Sequence, residues 1–224
     1  MTLAQALAAL EQAGTAQNRK IYGRHGVGPA QFGVSFAELK KLAKSIRQDH
    51  ALAVDLWASG NHDARVLATM VADAGSISTR ELDAWTKDLD NYVIADAFSG
   101  LAARSPHAAA RSAAWRGRKG EWIAAAGWNV VSGLALQEDA DEAALADLIA
   151  PIAATIHDQP NRVRHAMNQA LISIGARGGA LEKAALAAAA RIGKVAVDHG
   201  ETGCRTPDAA DYIRRTVAHR RRKD

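Results

Sequence analysis

The nine residues Asp90-Asn91-Tyr92-Val93-Ile94-Ala95-Asp96-Ala97-Phe98 decide how the chain is read. Apolar side chains recur here three and four apart, with no alternation of apolar and polar residues, so the stretch is a helix rather than a strand. Asp90 or Asn91 supplies the short polar side chain that caps a first turn. Tyr92 and Asp96 then fall one turn apart on one face, with Asp96 level with Val93, Ala97 and Phe98. A carboxylate in such buried company is expected either to hold hydrogen-bonding partners or to carry a displaced pKa. Two roles stay open at this point: Asp96 braces or caps a neighbouring helix, or it takes part in chemistry.

The same period extends outward in both directions, and nowhere does a sustained two-residue alternation interrupt it. Thr2 can cap a helix from Leu3 to Ala13, and a second runs from about Thr15 to Arg24 before the glycine-rich stretch 23–29. Ser35-Phe36-Ala37-Glu38 is a capping box, opening a helix with Leu39, Leu42, Ala43 and Ile46 inward. Helices follow from His50 to Ser59, from His62 to Ala74 under an Asn61 cap, and beyond Ser78 or Thr79 with Leu82 and Trp85. After the Tyr92 helix, Ser105-Pro106 reads as a cap with proline in the first turn, leading into His107 to Trp115. Arg116-Gly117-Arg118-Lys119-Gly120 is then either a phosphate contact or a plain turn before a helix from Glu121 to about Leu136. One helix is expected from Asp139–Glu142 to about His157, another from Asn161 to Ile174, another from Ala180 to Ile192, and a last from Pro207-Asp208 through about His219.

The expected fold is therefore all-α. Short turns between helices of this length give antiparallel pairs near the size of HEAT and armadillo units, which makes an α-solenoid, a curved superhelix of HEAT-like pairs. We expect a helical-repeat domain over residues 1–205, followed by a C-terminal helix and basic tail over 206–224. Such stacks suit an extended partner such as a duplex or another protein.

Charge supports that partner class. The chain has 224 residues, 48% of them hydrophobic, and a formal net charge of +4. Between Arg205 and Asp224 seven basic residues stand against three acids, an excess equal to that of the whole chain. A basic end favours a polyanion, although a solvated tail accounts for it equally well. Arg162, Arg164 and His165 crowd the start of another helix, where the dipole disfavours cations. A docked phosphate would explain them, and so would pairing with acids such as Asp158. No apolar run reaches the roughly 20 residues of a membrane span and the N-terminus lacks a basic region followed by an apolar core, so a cytoplasmic location without membrane contact is expected; a monomer is expected as well. Cys204, the single cysteine, lies with Asp198, His199 and Glu201 in one local loop. That spacing lacks the paired ligands of a zinc site, and a hydrogen-bonded turn is the better account; no metal or other cofactor is expected.

Several stretches, taken in order, resemble the DNA alkylation repair family, the HEAT-repeat alkylpurine DNA glycosylases. Phe32-Gly33-Val34-Ser35-Phe36-Ala37-Glu38-Leu39-Lys40 is similar to the family's opening segment, and Leu56-Trp57-Ala58-Ser59 with Arg65-Val66-Leu67-Ala68 to its next helix pair. Asp90 to Asp96 resembles the segment bearing the catalytic aspartate, and Val163-Arg164-His165-Ala166 the start of a later cleft helix. The resemblance implies an N-glycosylase releasing purines made cationic at N3 or N7 from duplex DNA. Asp96 would stabilise the positive sugar as a carboxylate, and Tyr92 would stand where the family usually has Trp. Arg162, Arg164, His165, Trp128 and Lys119 are the expected DNA contacts. Two departures accompany the likeness: Gln169 where relatives carry a second tryptophan, and alanines at 124–126 where they often carry arginine. If those changes remove the chemistry, a DNA-binding or protein-binding scaffold is left.

Overall fold

Most helix starts are written in a single polar side chain. Thr2, Thr15, Ser35, Asp49, Asn61, Ser78, Asn91, Asp141 and Asp208 each accept a hydrogen bond from the backbone N–H three residues on. Thr2 and Ser78 complete the reciprocal box with Gln5 and Glu81. The computed structural model describes residues 1–222, so Lys223 and Asp224 of the basic tail lie outside the described residues. Among the described residues there are helices and no strand, and no helix is long and apolar enough to cross a membrane.

The chain divides into two units, Met1–His107 with Gly200–Thr202, and Ala108–His199 with Gly203–Asp224. The first contains α1 (Leu3–Ala13), α2 (Ala16–Arg24), α3 (Phe36–Ile46), α4 (His50–Ala58), α5 (His62–Val71), α6 (Thr79–Trp85) and α7 (Tyr92–Ala102). α5 is its centre: α3, α4 and α7 all pack on it, and the tight turn at 59–61 folds it back along α4. Trp57 and Trp85 stack at 4.2 Å in its core, and Trp57 donates to Asp88 at 2.8 Å.

The second unit contains α8 (Ala108–Arg116), α9 (Glu121–Leu134), α10 (Glu142–Ala146), α11 (Ile149–Thr155), α12 (Asn161–Gly175), α13 (Gly179–Ile192) and α14 (Ala209–Arg220). α12 lies along α9, which packs on α8, while α13 and α14 also pack on α12 and on each other. α8 approaches α9 so closely that a Cβ at Gly127 would stand 2.7 Å from the Arg116 nitrogen. Part of the basic tail is consumed here, since Arg220 donates to the Ala176 carbonyl at 2.8 Å and Arg221 pairs with Glu182 at 2.8 Å.

Three sequence expectations change. The helix from His62 stops at Val71 rather than Ala74, because Asp73 turns its carboxylate onto Gly75 N–H and Ser76 Oγ and holds a turn instead. α8 starts at Ala108 rather than His107, and Ser105 belongs to the turn before it, donating its hydroxyl to the Ala102 carbonyl and accepting from the His107 N–H at 3.3 Å. The single helix expected to His157 is broken between Ala146 and Ile149. Pro151 has no N–H for the Asp147 carbonyl and its ring clashes there, so α11 must begin afresh.

Candidate functional site

The loop that carries Phe32, Gly33 and Val34 is held by a carboxylate that the sequence reading passed over. Asp63, on the first turn of α5, is 1% exposed and accepts from the N–H groups of Phe32, Gly33 and Val34 at 2.6, 3.0 and 2.9 Å. Three donors offset the desolvation of a buried charge. Gly33 adopts φ +77°, and a Cβ there would strike Thr15 O and Arg19 N, so only glycine fits the loop against α2. Asp63 also raises the Tyr22 pKa, after the larger effect of burial. Its neighbour His62 is buried, which lowers its pKa and keeps it neutral despite the nearby Asp63 and Asp90.

The end of α2 and the start of α3, on either side of that loop, form one wall of a cavity of about 370 Å³ within the first unit. Tyr22, His25 and Phe36 face Tyr92, Val93, Asp96 and Ala97 of α7 across it. Tyr92 and Asp96 are thus brought together, as their spacing required. The surroundings of Asp96 differ from expectation: it is exposed on the rim, not buried, because Ile94, Ala95, Phe98 and Ser99 occupy the inward face of α7. Tyr22 is fixed by donating to the Val34 carbonyl at 2.7 Å, and His25 Nδ1 is hydrogen-bonded to the Tyr92 hydroxyl with the rings edge to face. Phe36 is 42% exposed, an unusual degree for a large apolar side chain. The result is a concave surface of aromatic rings with one carboxylate at its edge. Such a surface suits a flat or cationic group, which rings and carboxylate both attract. Tyr22, His25 and Phe36 escaped the sequence reading, although Tyr22 and His25 stand three apart at the end of α2.

The remaining expected contacts belong to the second unit. Arg162, Arg164 and His165 lie in the first turns of α12, all half-buried, and Arg162 N–H donates to Glu121 at 2.6 Å. His165 is not a cation at neutral pH: burial first, then Arg162 and His199, lower its pKa to about 4. Lys119 is exposed in the turn before α9. Trp128 is 6% exposed in the apolar cluster of α9 and α12, with the Arg116 guanidinium 4.9 Å from its ring centroid. It therefore presents Arg116 rather than its own ring, and burial lowers the Arg116 pKa. Ala124 and Ala125 are buried in the same cluster, while Gln169 is half-buried on α12. Among the described residues no three His, Cys, Asp or Glu side chains converge as metal ligands.

Comparison with known proteins agrees with this architecture. The profile of the family described as DNA alkylation repair enzyme matches residues 3–213. An uncharacterized protein of Listeria innocua is 28% identical over 205 residues, covering 87% of this chain and 88% of its own. A counterpart in Listeria monocytogenes is 28% identical over 206 residues with the same coverage. A solved structure superposes with a TM-score of 0.89 at 27% identity, spanning 99% of this chain and 96% of that one. It is described as representing a new family of proteins related to the HEAT-like repeat DNA glycosylases, with affinity for branched DNA structures. The all-helical fold is thus HEAT-like.

Proposed function

Because the chain belongs to the DNA alkylation repair enzyme family, we propose that it binds duplex DNA and releases purines made cationic by alkylation at N3 or N7. The observation that carries this reading is the shared cavity of Tyr92 and Asp96, a carboxylate beside four aromatic rings. An alkylated purine is already a good leaving group. The bond from C1′ to the purine nitrogen breaks, and its electron pair neutralises the purine, which departs as the free base. Asp96 stabilises the positive charge that develops on the sugar. It also orients the water whose oxygen bonds to C1′ and accepts that water's proton, leaving an abasic site. Tyr92 offers its ring to the sugar, and Arg162, Arg164, His165 and Lys119 lie along the strand, with Trp128 acting through Arg116.

The test is release of 3-methyladenine and 7-methylguanine from methylated duplex under single-turnover conditions. Asp96→Asn is expected to abolish release while duplex binding stays level or tightens, since a negative charge near phosphates is lost. Equal release by the variant would remove Asp96 from the mechanism. A second reading, binding without chemistry, is favoured by the solved relative described as having affinity for branched DNA, and by Gln169 and the buried Ala124 and Ala125. No release above the spontaneous rate, with four-way junctions bound more tightly than linear duplex, would establish it.

A further inference from the structure

A second cavity, of about 620 Å³, lies within the second unit and involves none of the residues around Asp96. Its walls are Arg164 of α12, the segment 194–199, and the stretch Cys204-Arg205-Thr206. The connection between α13 and α14 has no regular structure, yet it is pinned at several points. Asn161 clamps Asp198 from both sides, donating to its carbonyl and accepting from its N–H, each at 2.7 Å. Buried Asn168 donates to the Pro207 carbonyl at 3.0 Å, and His199 Nε2 lies 2.9 Å from Thr206 Oγ1. The ring of His199, from the segment itself, meets that of His165 edge to face at 5.6 Å.

This framework gathers Arg164, Lys194 and Arg205 around one concavity with Asp198 as the single acid. Among the described residues none of the three cations enters an ion pair. Arg164 makes one long bond, 3.5 Å to Asn161, and its Nε has no hydrogen-bond partner. Three positive charges lining one concavity with a single acid leave a net positive field there, and an anion seated among them lowers their mutual repulsion. The hydroxyl of Thr206 adds an uncharged group of the kind that completes phosphate recognition.

We propose that this cavity is a phosphate-binding site, formed by Arg164, Lys194, Arg205 and Thr206, that takes one phosphate group of a DNA strand. The assignment of the phosphate to DNA rests on the DNA-binding reading above; the site itself does not involve Asp96. The phosphate is either an internal phosphodiester or a strand terminus.

Cys204 provides a built-in reporter, since it is the only cysteine of the chain, is exposed, and lines the same cavity. The rate of Cys204 alkylation by a maleimide would be followed on the full-length protein, free and saturated with duplex, with binding monitored separately by anisotropy. Bound duplex is expected to slow labelling severalfold, and inorganic pyrophosphate alone to slow it less. Both effects should vanish in Arg205→Glu and Lys194→Glu, which alter exposed side chains and should leave the melting temperature unchanged. Equal protection by duplexes with and without 5′-phosphates identifies an internal phosphodiester, and protection confined to the phosphorylated duplex identifies a strand end. Bound duplex that leaves labelling unchanged overturns the proposal, as does protection that survives both charge reversals. If duplex does not bind even at low salt, the functional reading fails and the pyrophosphate arm decides. Slowing in the wild type but not in Arg205→Glu then keeps a phosphate site, and no slowing removes it.

Discussion

Two aspartates of the first unit stand in opposite surroundings. Asp63 is buried and saturated with backbone donors, while Asp96 stands exposed at the edge of an aromatic cavity. Replacing Asp63 with Ala strands three N–H groups, each worth roughly 1–3 kcal/mol when left unsatisfied, so we expect a loss of about 3 kcal/mol or more. A urea midpoint unchanged from wild type would show that the loop does not depend on it. The role of Asp63 was not legible in the sequence because its partners lie 29 to 31 residues away. The Tyr92–Asp96 pairing was legible, since helical spacing alone sets it, but the exposure of Asp96 was not. Phe98 two residues on is fully buried, and only the packing of α7 on α5 decides which side of that step faces solvent.

At the scale of elements, α8 and α9 cross where Gly127 leaves no room for a side chain. Gly127→Ala gains helix propensity of about 1 kcal/mol but must displace the Arg116 backbone, an overpacking cost of typically 1–3 kcal/mol. We expect net destabilisation, read as a lower melting temperature; a rise would mean that the crossing can open freely. The start of α12 carries a pH dependence. His165 binds a proton in the folded state only near pH 4, whereas the unfolded chain does so near 6.5. The unfolded state therefore holds more protons between these values, and stability falls as pH drops through the window. The full shift is worth about 3 kcal/mol, which partial exposure reduces to roughly 1–2 kcal/mol. His165→Gln should flatten the change in urea midpoint between about pH 7 and about pH 4.5; an unaltered slope would assign it to other groups. From its sequence this histidine looked like a third cation, because burial beneath His199 depends on a segment more than thirty residues later.

For the whole molecule, a net charge of +4 and a DNA-repair family together predict duplex affinity that falls steeply with salt. Lys119→Ala should weaken binding across sequences and lower the salt slope by about one, and an unchanged slope would take Lys119 off the DNA. The basic tail contributes less free charge than its composition implies, since Arg220 and Arg221 bind Ala176 and Glu182. By itself the sequence determined the helical class, the caps at Thr2, Ser35 and Asn61, and the Tyr92–Asp96 face, because these rest on bonds and spacings within one or two turns. It also held the break at Pro151, a purely local effect that the periodic pattern masked. Tertiary structure alone decided that Asp63 holds the loop beside Tyr22, that Trp128 is buried under Arg116, and that three cations from α12 and the 194–206 segment share one cavity. Burial and charge convergence are sums over elements distant in the chain, and no local pattern encodes them.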